Sequence, residues 1–210
     1  MWSKTPDYKA IESVDRTIVI LEAVAIFYNK LEDAGHLGQL FRQVGKWFPL
    51  ARETLRTIHK CVSGSRFSEE TYGPMKRLLE ESERNAQHLE SIFQAIAPPP
   101  DTSRNTRYHA AVRSLGRRNQ VEVLMKELLQ DIRILAEDSA IRGETRYQVE
   151  RLHVAIDELS AVPLSVPEEE PSPIVSHFGI SGQINIVGAQ NINTGGRMQY
   201  NAEAMFFGKN

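Results

Sequence analysis

The chain lacks the residue patterns that mark the common enzyme classes. It has a single cysteine, Cys61, which excludes an internal disulfide, and its six histidines show no metal-ligand spacing with that cysteine. Gly45-Lys46 is followed by Trp47, and Leu40 stands where a P-loop needs its first glycine. The motifs Gly-x-Ser-x-Gly and His-Glu-x-x-His are also missing, and Gly-x-Gly-x-x-Gly is not found after any predicted strand. We therefore expect no enzymatic activity, no cofactor and no metal.

Long runs of one charge and long apolar runs are missing as well. The 25 basic and 27 acidic residues nearly balance, and no Lys/Arg block could neutralise a row of phosphates, so nucleic acid is not an expected partner. The most apolar stretch, residues 17–28, is much shorter than the roughly 20 residues that span a bilayer. Arg113, Arg117 and Arg118 form a small basic cluster that suits either a solvated helix face, the commoner role, or anionic lipid headgroups.

Cysteine usage and the N-terminal sequence indicate a location. A single cysteine fits a reducing cytosol, and the first fifteen residues are polar and acidic where a signal peptide needs a basic start and an apolar core. We expect a cytoplasmic protein, with recruitment to the plasma membrane on activation as an open alternative.

Helical periodicity runs almost unbroken to about residue 162. Apolar residues recur at three- and four-residue steps, and glycines and prolines separate the segments. The pattern predicts an all-α domain at residues 1–162, an antiparallel bundle of about five helices joined by short loops. The expected helices cover about residues 11–31, 40–62 with either a bend or a new helix start at Pro49, 74–96 opened by Gly73-Pro74, 103–135 capped by Ser103 or Asn105 and weakened at Gly116, and 149–159 after Gly143.

A compositional break follows the helical part. Residues 163–173 hold four of the ten prolines and three consecutive glutamates, a composition that stays extended and solvated. We assign residues 163–176 to a disordered Pro/Glu-rich linker, whose first eleven residues would span roughly 30 Å at about 3 Å per residue.

Residues 177–210 form a Gly/Asn/Gln-rich tail with an imperfect repeat. Each unit begins with glutamine, contains asparagine, and alternates apolar with polar residues between glycines. Such short strands cannot bury themselves alone, whereas copies stacked in register pair every backbone group and align Asn and Gln side chains in ladders. The sequence predicts a β-prone, prion-like self-assembly motif formed by Gln183, Ile184, Asn185, Ile186, Gly188, Gln190, Asn191, Ile192, Asn193, Gly195, Gln199, Tyr200 and Asn201. An inert flexible tail is the alternative.

Single residues inside the helices give only weak candidate sites. Glu22 lies in the most apolar helix, where a carboxylate usually faces an edge or pairs with an arginine. Cys61 near His59 could suggest a nucleophile, but residues two apart on a helix point in different directions. His88 and His109 are expected to be surface or packing residues.

A family resemblance rests on four helical segments, RTIVILEAVAIFYNKL (16–31), FRQVGKWFPLARETL (41–55), LESIFQAIAP (89–98) and RYHAAVRSLGRRNQVEVLMKELLQDIRILAED (107–138). Together these segments resemble the fungal SesA-type domain. That family occurs at the N-terminus of NOD-like receptors with a NACHT NTPase and as a stand-alone protein. The tail is similar to the amyloid-signalling motifs seen after such domains, through Gln190-Asn-Ile-Asn-Thr-Gly195, Gln199-Tyr-Asn-Ala202 and Phe207-Gly-Lys209. Its first unit departs from them by its isoleucines, and Arg197 interrupts the spacing.

The resemblance implies a role in fungal innate immunity, heterokaryon incompatibility or programmed cell death. A NACHT-type receptor with a similar motif would template the β fold of the tail, and homotypic assembly would then cluster the helical domains. Two alternatives stay open. One is a helical protein-interaction adaptor with an inert tail, and the other is a helical effector that permeabilises membranes and therefore contacts lipids.

Overall fold

The computed structural model describes residues 6–31, 35–64, 69–97, 103–116, 118–139 and 141–166, together with four short strands further on. The chain divides into two compact units, Met1–Val166 and Pro167–Asn210. The prediction of an all-helical domain is confirmed for the described residues of the first unit. Its helices are α1 (Pro6–Asn29), α2 (Gly35–Gly45), α3 (Phe48–Gly64), α4 (Glu69–Ile96), α5 (Arg104–Leu115), α6 (Val121–Ala136) and α7 (Arg142–Ser160).

The described residues form seven helices rather than the predicted number of about five, because two expected segments are each divided. A new helix start at Pro49 is one of the two outcomes that the sequence allows. The first division lies between α2 and α3, where Pro49 is the second residue of α3. Proline lacks the N–H that a continuous helix would need there, whereas the first turn leaves that group unpaired in any case. Gly45 ends α2 against the ring of Tyr28, where a Cβ would lie 2.4 Å from ring carbons. The second division follows Gly116, whose φ of 101° lies in the left-handed region that glycine tolerates.

The ends of α4 differ in how well the sequence predicts them. The helix starts at Glu69, so Pro74 lies inside it and the prediction that Gly73-Pro74 opens the helix is wrong. Pro74 is still close enough to the N-terminus to disturb only one early hydrogen bond. The C-terminal end at Ile96 agrees with the prediction that the prolines following it stop the helix. Ser103 caps α5, because its Oγ accepts a hydrogen bond from the backbone N–H of Thr106 at 3.2 Å.

An aromatic cluster joins five helices in the core. Phe93 of α4 lies at the centre, with ring centroids 6.4 Å from Tyr28, 5.3 Å from Phe41 and 5.7 Å from Phe48. Tyr108 of α5 extends the cluster through an edge contact with Phe41 at 5.6 Å. Since α4 also packs along α1, α5 and α6, it is the central helix of the bundle.

The first unit continues beyond the predicted boundary at residue 162. Residues 163–166, which composition assigns to a solvated spacer, belong to this unit. Val162 and Val166 pack against the core, and the backbone N–H groups of Ser165 and Val166 donate to Glu122 and Gln120 at the start of α6. Partial burial of two valines and pairing of the backbone outweigh the local preference for an extended, solvated chain.

Four short strands lie in the second unit. They are β1 (Val175–His177), β2 (Ile184–Ile186), β3 (Ile192–Asn193) and β4 (Gln199–Tyr200). β1 pairs antiparallel with β2, and β3 pairs antiparallel with β4. β1 begins inside the segment that the sequence assigns to the linker.

Candidate functional site

The predicted self-assembly residues fall partly on these strands. Seven of the thirteen are described, and each repeat unit contributes one strand: β2 in the first unit, β3 in the second and β4 in the third. The seven are Ile184, Asn185, Ile186, Ile192, Asn193, Gln199 and Tyr200. The other predicted residues, Gln183, Gly188, Gln190, Asn191, Gly195 and Asn201, lie outside the described residues.

The strand register brings the second and third units together. Ile192 is the Cα partner of Tyr200, and Asn193 is the Cα partner of Gln199. The first unit pairs instead with the segment before it, where Asn185 is the partner of Ser176.

Both sheets in the described part of the tail are two-stranded. A two-stranded sheet leaves one edge of each strand without a ladder partner in that sheet, and an isolated pair of such short strands is marginal in water. Additional strands from another chain would pair these edges. The tail geometry is therefore suited to strand addition.

A second feature is a polar clasp at the end of the first unit, formed by Tyr108, Gln120 and Glu122 around Ser165 and Val166. Glu122 is only 2% exposed. Its Oε1 accepts a hydrogen bond from the backbone N–H of Ser165 at 2.6 Å, and its Oε2 accepts one from the Ser165 hydroxyl at 3.1 Å. A buried carboxylate is stable only when such donors satisfy it.

Gln120 holds Val166, the residue after Ser165, through the main chain of that residue. Its Nε2 donates to the carbonyl oxygen of Val166, and its Oε1 accepts from the N–H of Val166, both at 3.0 Å. This two-way contact fixes the backbone irrespective of the side chain at position 166.

Tyr108 closes the clasp from α5. Its hydroxyl lies 2.5 Å from Ser165 Oγ and accepts a hydrogen bond from the N–H of Val121 at 3.4 Å. Burial, followed by the charge of Glu122, raises the pKa of Tyr108, so this hydroxyl stays protonated near neutral pH. Either hydroxyl can donate the hydrogen bond between Tyr108 and Ser165.

Sequence reasoning missed the clasp. Gln120 and Glu122 flank Val121 at the start of a strongly apolar helix, and they look like ordinary first-turn polar residues. The sequence offers one signal for the clasp. The helix that these residues open is strongly apolar, and polar side chains buried together with it need internal partners.

The weaker candidates are structural. Glu22 Oε1 accepts from Arg56 at 2.6 Å, which confirms the predicted pairing of this carboxylate with an arginine. His59 Nε2 lies 3.2 Å from Asp15 Oδ1 rather than against Cys61. Burial, with a smaller contribution from Glu144, raises the pKa of the Cys61 thiol and so disfavours the thiolate that a nucleophile needs.

Two further candidate histidines and one arginine of the basic cluster also have local partners. His88 Nδ1 is 3.1 Å from Asn119 Oδ1, and the ring of His109 lies 5.8 Å from that of Tyr108. Arg113 Nε donates to the carbonyl of His109 and Arg118 is exposed, whereas Arg117 lies outside the described residues.

The described residues contain neither a helix that could span a membrane nor a group of side chains that could hold a metal ion. None of the described helices is both long and apolar enough to cross a membrane. Within the same residues, no group of three or more His, Cys, Asp or Glu side chains is arranged to hold a metal ion.

Comparison with known proteins identifies the helical unit. The sequence model of SesA, described as an N-terminal domain on NACHT NTPases and P-loop NTPases, matches residues 14–135, more than half of the chain. The chain belongs to the SesA family. Neither the curated proteins nor the solved structures provide a match. The SesA match covers most of α1 and all of α2 to α5, and it ends within α6. The clasp residues Tyr108, Gln120 and Glu122 therefore lie in the matched region.

A partly buried carboxylate in α6 makes the stability of the SesA domain depend on pH. Burial, followed by the charges of Glu81 and Glu127, raises the pKa of Asp131 to about 7. The folded state thus holds this proton more tightly than the unfolded state, in which the pKa is about 3.9. The stability that this proton contributes is complete below pH 4 and is lost as the pH rises through 7.

We expect Asp131→Asn to stabilise the domain at pH 8 and to have little effect near pH 4. A gain of about 1–2 kcal/mol at pH 8, smaller than the full shift implies because the group is partly exposed, would raise Tm by about 3–6 °C. Thermal unfolding of both proteins at the two pH values measures this difference. Asp157→Asn, on the exposed face of α7, is the control and should shift Tm equally at both pH values. An Asp131→Asn advantage that is greater at pH 4 would contradict the assignment.

Proposed function

We propose that this protein is a non-enzymatic signalling protein that is activated by templated β assembly of its tail. The helical domain would execute or relay the signal once assembly has clustered it. This role is proposed for fungal innate immunity or programmed cell death, with a NACHT-type receptor carrying a similar motif as the partner.

Membership of the SesA family supports the signalling part of the proposal. The matched region is a domain found next to NACHT and P-loop NTPases, and the chain itself has no P-loop motif. An NTPase in a separate receptor chain would supply the ligand-driven step. The helical core is filled by aromatic and aliphatic side chains, which suits a rigid module better than a catalytic site.

The observation that carries the assembly proposal is the position of the strands. Each Gln/Asn unit contains one short strand, and in the described part of the tail these strands form two-stranded sheets. Because strand pairs of this length gain little stability alone, the addition of identical strands from other chains would stabilise them strongly. A receptor motif of similar sequence would provide the first strand to pair with.

The adaptor alternative also has a supporting observation. Val19 and Ile26 of α1 are 63% and 56% exposed and are seven residues apart, so they lie on the same face of the helix. An apolar stripe of this kind could bind a partner helix. Under that alternative, deletion of residues 174–210 would leave the cellular response intact, whereas under the assembly proposal the same deletion abolishes it.

The direct test is fibril formation by the full-length chain. Fibrils seeded with a peptide of residues 163–210 should bind thioflavin and diffract at about 4.7 Å and about 10 Å. A chain that ends at residue 166 is the matched control, since it keeps the whole helical unit, and it should stay monomeric under the same seeding. A full-length chain that remains monomeric with seeds at high concentration would overturn the proposal.

A further inference from the structure

The clasp holds the last two residues of the helical unit, Ser165 and Val166, by polar contacts that depend on a neutral Ser165. The Ser165 hydroxyl lies 3.1 Å from Glu122 Oε2 and 3.2 Å from Gln120 Oε1, and its own N–H donates to Glu122 Oε1. Both Gln120 and Glu122 are almost fully buried. The acceptors Gln120 Oε1 and Glu122 Oε2 suit a hydroxyl donor and repel a second negative charge.

Phosphate on Ser165 would reverse the interaction. A phosphoserine carries about −1.5 to −2 charges near neutral pH and has no hydroxyl proton for a carboxylate. Placed at the position of Ser165 Oγ, it would lie within about 3–4 Å of the buried Glu122 carboxylate, where like charges repel strongly. The modified residue could not return to the clasp while Glu122 is ionised.

The sequence after Ser165 supplies a recognition element for such a modification. Glu168, Glu169 and Glu170 occupy the third to fifth positions after the serine. A kinase whose substrate groove carries Arg and Lys side chains would bind this acidic run by charge complementarity. The clasp is at the end of the unit, where local opening costs least, so the kinase can act on the open state.

We propose that Ser165 is a phosphorylation site for an acid-directed serine kinase, and that its phosphate detaches residues 163–166 from the helical unit. In the reaction, Ser165 Oγ forms a bond to the γ-phosphorus of ATP as the bond to the β–γ bridging oxygen breaks. ADP leaves, and the hydroxyl proton passes to the catalytic carboxylate of the kinase. Detachment lengthens the tether between the helical unit and the tail by four residues. This inference does not require the tail to assemble.

The test combines modification with hydrogen exchange on the full-length chain. A purified acid-directed serine kinase with Mg²⁺ and ATP should place one phosphate on the peptide that contains Ser165, as mapped by mass spectrometry. Ser165→Ala should lose that phosphate, and the triple change Glu168→Gln, Glu169→Gln and Glu170→Gln should slow its incorporation at least tenfold. In the phosphorylated, otherwise unchanged chain, the amide hydrogens of Ser165 and Val166, which donate to Glu122 and Gln120, should exchange at least tenfold faster than before phosphorylation.

Glu122→Gln separates electrostatic repulsion from simple loss of a contact. This substitution keeps the volume of the side chain and removes its charge, so phosphorylation should accelerate exchange at Ser165 and Val166 much less than in the unchanged chain. Three results would overturn the proposal: no phosphate at Ser165, unchanged exchange after phosphorylation, or the same acceleration in the Glu122→Gln variant as in the unchanged chain.

Discussion

Phe93→Ala should lower the free energy of unfolding of the helical unit by about 3–5 kcal/mol, a large share of the 5–15 kcal/mol typical of a domain. Phe93 is fully buried, and its ring contacts Tyr28, Phe41 and Phe48 from three other helices. Removing it leaves a cavity that neighbours on separate helices cannot fill by local adjustment. Urea unfolding followed by circular dichroism measures the loss.

Tyr147→Ala is the matched control for this change. Tyr147 is 65% exposed, and its described contact is a cation–π interaction with Arg151 at 5.5 Å. Truncating a comparable ring there should change the free energy of unfolding by no more than about 0.5 kcal/mol. Equal losses for the two variants would show that Phe93 is not the centre of the core.

Ile184→Pro combined with Ile192→Pro should abolish seeded fibril formation by the full-length chain. The two positions lie in β2 and β3, and proline cannot donate the N–H that a strand ladder needs at either position. The helical unit is separate from these strands, so its Tm should not change. Seeded thioflavin kinetics and thermal unfolding measure the two outcomes on the same samples.

Ile184→Val combined with Ile192→Val is the control for the proline pair. Valine keeps the backbone donor and the β-branched shape, so seeding should persist. Fibrils from the double-proline variant at the unchanged rate would place the assembly core outside these two units. Loss of fibrils in the valine pair as well would point to side-chain packing rather than the backbone ladder.

Most of the helical unit follows from local sequence patterns. Apolar periodicity locates the helices, Ser103 caps α5, and the prolines after Ile96 end α4. These features depend on backbone geometry and on residues close in sequence, which is why they can be predicted without the fold. The SesA resemblance adds the family for the same reason, because its motifs are helix-packing patterns.

One helix boundary depends on residues that are distant in sequence. The helix α2 ends at Gly45, whose backbone lies against the ring of Tyr28. The contact of Gly45 with the ring of Tyr28 joins residues that are 17 positions apart, so no local window contains it. Local propensity is a weak predictor at such positions because tertiary packing overrides it.

The sequence by itself determines an all-helical SesA domain followed by a Gln/Asn repeat tail, because periodicity and composition are local properties. Only the tertiary structure decides that Phe93 gathers the aromatic rings of the core and that residues 163–166 belong to the helical unit. Gln120 and Glu122 reach Ser165 and Val166 across more than forty positions of sequence. The requirement that buried polar groups find partners fixes this contact, and that requirement arises only when the chain is folded.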